Sequence, residues 1–243
     1  MKRYIKNMLL ASAAVMTLCG LSACIDETVP TDEATPATIK TDSKSLSYLA
    51  NSLPSFLTTW NTYNSGDYTQ DWGYPCQMYM RDLLCADFPQ SDNSFNYWDY
   101  IEDGSSLRYA YYYTFYYYYV FIKNANGVIS VGKDAVDGGN EAAKKYLGQG
   151  YGYRAMLYLD LERLFEYKKT GVSYLDKQAD SIGCMGITIP IVTEKTSKVE
   201  LKNNPCAPFY TMNRFIMTDL NRAEENLAGY NREHKAFMDQ SVI

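Results

Sequence analysis

The sequence predicts a mainly α-helical protein with long loops and little strand. Apolar residues recur at intervals of three and four over several segments, which is the spacing of one helix face. Stretches rich in Gly, Asn, Asp, Ser and Pro separate those segments and favour turns and loops. Only residues 187–192, a short β-branched run, favour a strand or an extended connector.

The N-terminus has the order of a secretory signal. Basic residues, among them Lys2 and Lys6, precede an apolar run over residues 8–18 that is too short to span a bilayer. The run Leu-Ser-Ala-Cys that ends at Cys24 resembles a bacterial lipobox. We therefore expect a lipoprotein signal peptide over residues 1–23 and acyl chains on Cys24 that anchor the protein in a membrane.

Residues 24–42 are rich in Thr, Asp, Glu and Pro, which predicts a flexible lipid-anchored tether. Residues 25–27, Ile-Asp-Glu, resemble the export signal of surface lipoproteins in Bacteroidota. Loss of the signal peptide removes three basic residues and no acidic ones, so the formal charge falls by three from −5. A chain this acidic argues against a nucleic-acid partner.

The rest of the chain, residues 43–243, is predicted to hold four or five helices. They cover residues 43–60, 78–84, 106–131, 142–168 and 209–227, and a further helix is expected to begin at Lys235. Pro54 is expected to kink the first helix or to begin a second segment. Residues 172–208 show few helical cues. Stacked helix pairs are typical of tetratricopeptide-like arrays, and without a strict repeat the array is degenerate.

A run of tyrosines, residues 109–120, raises the question of a sugar-stacking platform. On a helix these side chains fall on both sides, and a helix that is aromatic all round is usually buried. We therefore interpret the run as part of the bundle core rather than as a ligand platform.

Four motifs in order resemble the SusD/RagB family of surface lipoproteins. They are Asn124-Ala125-Asn126-x-Val128-Ile129, the helix from Tyr153-Arg154-Ala155 to Phe165, the segment from Gly186 to Val192, and Asp219-Leu220-x-x-Ala223-x-x-x-Leu227. Together with the lipobox they cover most of residues 24–240.

The chain also departs from the family pattern. Gln149-Gly150 stands where the family has Glu-Ala, and residues 168–185 replace a shorter loop. Gly148, Gly150 and Gly152 each cost about 1 kcal/mol relative to Ala in a helix. Because family members are considerably longer, we expect the chain to be an N-terminal part of a SusD-like domain, truncated at its C-terminus.

The resemblance implies an α-helical protein at the cell outer membrane, exposed at the surface and lipid-anchored. Such proteins bind glycans, and sometimes peptides, and act as a lid on a SusC-like TonB-dependent transporter. The expected partners are therefore that transporter, an oligosaccharide ligand and the membrane through the N-terminal lipid. No catalysis and no cofactor are expected.

Aromatic loops are the candidate glycan site, because a pyranose stacks on a ring while its hydroxyls bond to polar side chains. One such loop carries Asn96, Tyr97 and Trp98, and the other carries Asp71 and Trp72. Trp98 either contacts glycan, as a tryptophan in the corresponding family loop does, or anchors its loop on the core. For Trp72, core packing is the favoured interpretation.

Catalytic and metal sites have little support in the sequence. His234 is the single histidine and is expected to be solvated on a helix, and no Cys pair has the spacing of a zinc site. The residues leave open whether Cys76, Cys85, Cys184 and Cys206 form disulfides. Two other functions also stay open: a helical scaffold for protein contacts, and a lipoprotein glycosidase with two carboxylates.

Overall fold

The computed structural model describes residues 43–58, 73–84 and 107–243. The predicted signal peptide and the tether with Cys24 lie outside the described residues, as do Cys85 and Trp60, the last residue of the first predicted helix. Within them the helices are α1 (Ser43–Thr58), α2 (Tyr74–Leu84), α3 (Leu107–Asp137), α4 (Lys144–Phe165), α5 (Ser173–Ser181), α6 (Lys198–Lys202) and α7 (Phe209–Asn226). Two short strands, β1 (Ile187–Pro190) and β2 (Cys206–Pro208), pair antiparallel. The predicted fold class, mainly helical with little strand, is confirmed.

Helix α4 is the centre of the described bundle. It packs against α3 on one side and α7 on the other, and α1 lies against both α3 and α4. Helices α3 and α4 form an antiparallel hairpin, because Gly132 lies beside Leu147 while Gly150, further along α4, lies beside Ile129. This pairing of neighbouring helices is the tetratricopeptide-like arrangement expected from the sequence.

The glycines of α4 allow its neighbours to approach closely. A Cβ added at Gly148 would lie 2.6 Å from Leu227, which follows the last residue of α7, and one at Gly150 would lie 2.8 Å from Ile129 of α3. A Cβ added at Gly152 would lie 2.7 Å from the sulfur of Met238. All three positions are helical and buried, so their low helix propensity is offset by tight packing on three sides.

The tyrosine run divides into a buried half and an exposed half. Tyr117, Tyr118 and Phe121 are fully buried in the main core, as the sequence predicts. Tyr111, Tyr112, Phe115 and Tyr116 are exposed, which corrects the expectation that the whole run is core. For Tyr111 and Tyr112 the reason is the length of α3. Phe115 packs against Phe165, the last residue of α4, so the residues before Phe115 extend beyond the end of α4.

Several element boundaries differ from the sequence prediction. Helix α1 continues through Pro54, so no second segment begins there. Helix α3 runs to Asp137, and α4 ends at Phe165 because Glu166 is already extended. Helices α5 and α6 lie in a region where few helical cues were found. A capping box marks the start of α6, where Ser197 and Glu200 bond to each other's backbone.

The helix predicted from Lys235 is not formed. Residues 229–243, here called the C-terminal segment, consist of turns, bends and irregular backbone. The amide of Gln149 bonds to both the N–H and the carbonyl of Met238, and the Tyr153 hydroxyl donates to the Ala236 carbonyl. These backbone groups are bonded by α4 side chains instead of by one another. His234 is exposed in this segment, solvated as predicted but not on a helix.

None of the described helices combines the length and the apolar character that a membrane crossing needs.

Candidate ligand-binding site

The side chains that the sequence proposes for a glycan site are Trp98, Tyr97, Asn96, Trp72 and Asp71. All five lie outside the described residues and stay predictions. The structure does show the elements that follow them in the chain. Asp71 and Trp72 precede α2 in the sequence, and residues 96–98 precede α3, which begins nine positions after Trp98.

The start of α3 carries an exposed aromatic surface. Tyr111, Tyr112, Phe115 and Tyr116, here called the aromatic face, have exposed fractions of 47%, 62%, 37% and 47%. Phe is usually buried and Tyr at least partly so, and here four adjacent aromatic side chains stay accessible. Such a patch on a helical domain marks a candidate binding surface.

The rings of the aromatic face are supported from below. Tyr112 and Tyr116 are parallel within 3°, with centroids 6.2 Å apart. Tyr111 and Phe115 both contact Phe165 of α4, with centroids 6.1 and 5.8 Å from its ring. Because α4 holds Phe165 in place, half of this face rests on the rigid hairpin.

Phe115 also contacts the buried part of the tyrosine run. Its ring lies 4.3 Å from that of Tyr119, whose hydroxyl donates a 2.5 Å hydrogen bond to the carbonyl of Pro190 at the end of β1. Burial raises the pKa of Tyr119 well above its usual range, so the hydroxyl stays protonated as a donor. Phe115 is therefore supported by β1 through Tyr119 as well as by Phe165 of α4.

A polar cluster lies on the same side of α3, where Tyr118 follows Tyr111 by two helical turns. Asp160 of α4 accepts hydrogen bonds from Tyr74 at 2.7 Å, Tyr118 at 2.9 Å and Arg81 at 3.3 Å. The Arg81 side chain is 28% exposed. A guanidinium has five N–H donors, and the bonds to Asp160 and to the Tyr74 hydroxyl use two of them. Arg81 can therefore donate to a ligand while it stays tied to the core.

A second polar network joins residues that the sequence placed in three separate motifs. Arg154 is fully buried and donates to both oxygens of Asp219, at 2.7 and 2.9 Å. It also donates to the Asn126 amide oxygen and to Glu194, each at 2.7 Å. Sequence analysis missed Glu194 and did not connect the others. A basic and an acidic residue inside apolar helix motifs were the signal that could have linked Arg154 with Asp219.

This network fixes the loop that follows β1. Burial acts to raise the pKa of Glu194, but the hydrogen bond and the charge of Arg154, together with a backbone hydrogen bond and the nearby Lys195, outweigh it, and the pKa is lower than usual. Burial raises the pKa of Asp219 against the opposing bonds from Arg154. Val192 is held as well, because its carbonyl accepts from Asn126 and Tyr158. The network is therefore structural support rather than an open site.

The part of the chain that the structure describes offers few groups for metal binding or thiol chemistry. No group of three or more His, Cys, Asp or Glu side chains there could hold a metal ion. Cys184 and Cys206 are free thiols, Cys76 is buried, and Cys85 lies outside the described ranges. What the described surface offers a ligand is therefore aromatic rings and hydrogen-bonding groups.

Comparison with known proteins supports the architecture. No family model matches the chain, and no curated protein does either. A solved structure described as a SusD-like carbohydrate binding protein from Bacteroides vulgatus ATCC 8482 superposes with a TM-score of 0.60 at 21% identity. The match covers 82% of this chain and 39% of that one, so the chain spans less than half the length of that protein. An identity this low establishes the fold alone, and the chain has a SusD-like fold.

Proposed function

We propose that this chain is part of a surface lipoprotein of the SusD/RagB type that binds oligosaccharides. The aromatic face of α3 is the observation that carries the proposal. The apolar faces of sugar rings stack on exposed aromatic rings, and no positive surface charge is needed for that contact. The parallel rings of Tyr112 and Tyr116 offer neighbouring supports to successive sugars of one chain.

The loop before α3 completes the proposed site. Trp98 and Tyr97 would add rings, and Asn96 would supply an amide that both donates to and accepts from sugar hydroxyls. Trp72 and Asp71 form a second candidate edge, because α2 follows them directly and carries Arg81. Arg81, held by Asp160 and Tyr74, would add a hydrogen-bond donor to this edge.

The protein would capture and deliver glycan without catalysis or a cofactor. In this proposal Cys24 carries the lipid that holds it at the outer surface, and a SusC-like TonB-dependent transporter receives the ligand. The fold shared with a SusD-like carbohydrate binding protein supports this assignment. Co-purification of a large outer-membrane barrel with the tagged, lipidated protein is the expected result in its native membrane. Recovery of the protein without such a barrel would contradict the delivery step.

Glycan binding is tested by electrophoresis through native gels that contain starch, xylan, laminarin or galactomannan. We expect retardation by at least one of these polysaccharides, and loss of that retardation when Tyr112 and Tyr116 are both changed to Ala. Tyr174→Ala is the matched control, because Tyr174 is 70% exposed but lies on α5. Equal retardation of all three proteins would remove the aromatic face from the site. Release of short sugars from a bound polysaccharide would favour a glycosidase instead.

A further inference from the structure

A second pocket, separate from the aromatic face, lies where the C-terminal segment crosses α4. Its volume is 280 Å³, and α1, the first turns of α4 and the C-terminal segment line it. The wall made by the C-terminal segment is fixed, because Gln149 bonds to both backbone groups of Met238. Gly152 leaves room for the Met238 side chain. The pocket is therefore built into the fold by specific contacts.

The lining combines rings with hydrogen-bonding groups. Tyr146, Tyr230 and Phe237 are half-buried and contribute three aromatic surfaces. Asn51 of α1 adds an amide, and Glu233 adds an exposed carboxylate. Rings together with amide and carboxylate groups can bind a small polyhydroxylated ring.

Lys145 gives the pocket its particular chemistry. Its ammonium lies 4.9 Å from the ring centre of Tyr146 and 5.9 Å from that of Tyr230. Within the described residues, no carboxylate lies at ion-pair distance from this ammonium. Its neighbour Lys144, in contrast, forms a 2.6 Å ion pair with Glu141. Lys145 is therefore a half-buried cation held on aromatic rings and available to an anionic ligand.

Tyr230 adds a hydroxyl between charges of opposite sign. Burial and the nearby Glu233 raise its pKa, and Lys145 acts in the other direction. The hydroxyl therefore stays protonated at neutral pH and can donate to a ligand. A ligand bound here therefore meets the ammonium of Lys145, the hydroxyl of Tyr230 and the carboxylate of Glu233.

We propose that this pocket binds an acidic sugar, a hexuronate residue whose carboxylate pairs with Lys145 and whose ring rests on Tyr146 and Tyr230. The choice of a sugar rests on the proposed glycan-binding function. The carboxylate is chosen because the ammonium lacks an anionic partner among the described residues. A volume at the lower end of ligand pockets, about 300–1,000 Å³, suits a single sugar residue rather than a chain.

The two proposed sites are far enough apart to be tested separately. The aromatic face rests on Phe165 at the end of α4, whereas Lys145 and Tyr146 are at its beginning. Twenty helical residues at 1.5 Å each separate them by about 30 Å. A substitution in one site should therefore leave the other unchanged.

The test is isothermal titration of the protein with glucuronate and galacturonate, with glucose, galactose and acetate as comparison ligands. We expect both uronates to bind, and glucose, galactose and acetate to bind at least tenfold more weakly. Lys145→Gln should lower uronate affinity about tenfold. Lys144→Gln removes the same charge one residue away and should bind as the unchanged protein does. Thermal unfolding of both variants checks that neither loses its fold.

Four results would overturn the proposal. Three of them are no uronate binding at all, equal binding of uronate and neutral sugar, and unchanged uronate affinity in Lys145→Gln. The fourth is equal binding of acetate, which would remove the rings from the contact and overturn the choice of a sugar.

The double variant of Tyr112 and Tyr116 separates this proposal from the function above. It should lose polysaccharide retardation and keep uronate binding. In the unchanged protein, polysaccharide binding without uronate binding would reject the pocket alone, and uronate binding without polysaccharide binding would reject the aromatic face alone.

Discussion

Arg154 shows how much a single buried residue can organise in this protein. Its guanidinium reaches α7 through Asp219, α3 through Asn126 and the loop after β1 through Glu194. A buried ion pair gives weak evidence of net stability, because desolvation offsets most of the attraction. Removing one partner has a different effect, since the other charge is then left buried without compensation.

We predict that Arg154→Met destabilises the protein by about 3–5 kcal/mol, because Asp219 loses both of its bonds from Arg154 in a fully buried position. Arg222→Met is the matched control. Arg222 is 49% exposed and 3.9 Å from Asp219, so its loss should cost at most about 1 kcal/mol. Urea unfolding of both variants makes the measurement. Equal losses in the two would contradict a special role for Arg154.

The lowered pKa of Glu194 predicts that the stability of the protein depends on pH. Its pKa is below its usual value in the folded chain, so its stabilisation is complete above that usual value and is lost as pH falls through the lowered one. Glu194→Gln should therefore be less stable than the unchanged protein at pH 7, by roughly 1 kcal/mol. The difference should shrink as the pH falls below 4.5. Urea midpoints measured from pH 7 to pH 3 check this, and a constant difference would show that Glu194 does not titrate as described.

At the scale of elements, α4 explains why poor helix formers occur at the centre of a bundle. Sequence analysis recognised Gly148, Gly150 and Gly152 as costly in a helix but gave no reason for them. The reason is the position of two other helices and the C-terminal segment, which no local pattern encodes. Helix propensity is decided within one turn of chain, whereas close packing is decided by residues far away in sequence.

A pair of glycine substitutions tests this explanation. Gly150→Ala places a methyl group 2.8 Å from Ile129 and should destabilise the protein by about 1–3 kcal/mol. Gly127→Ala, in α3, meets no atom within 4 Å and should stabilise the protein by up to about 1 kcal/mol through helix propensity. Thermal unfolding of the two variants shows whether each substitution stabilises or destabilises the protein. Stabilisation by both changes would mean that α3 and α4 are less closely packed than described.

The tyrosine run and the C-terminal segment show where sequence patterns stop being informative. Periodicity correctly placed Tyr117 and Tyr118 in the core, but it could not locate the end of the partner helix, beyond which Tyr111 and Tyr112 become exposed. Around Lys235 no helix forms, because the side chain of Gln149 bonds to the backbone of Met238, 89 residues away in sequence. Contacts at that separation are invisible to local propensity.

For the whole molecule, the order of weak motifs predicted the architecture better than any one of them. The helices that carry Asn126, Arg154 and Asp219 were each identified by periodicity, and the resemblance placed them in one SusD-like fold, which the structural match supports. The site was predicted less completely. Trp98 and Trp72 lie outside the described residues, and the aromatic face was interpreted as core.

The central claim is that the aromatic face on α3, together with the loop before it, binds oligosaccharide. The most direct measurement compares the affinity of the unchanged protein with that of the Tyr112→Ala/Tyr116→Ala variant, by isothermal titration with an oligosaccharide of the retarding polysaccharide. Two exposed rings at about 0.5–1.5 kcal/mol each predict an affinity loss of roughly fivefold or more, with the unfolding of the protein unchanged. An equal affinity in both proteins would contradict the claim.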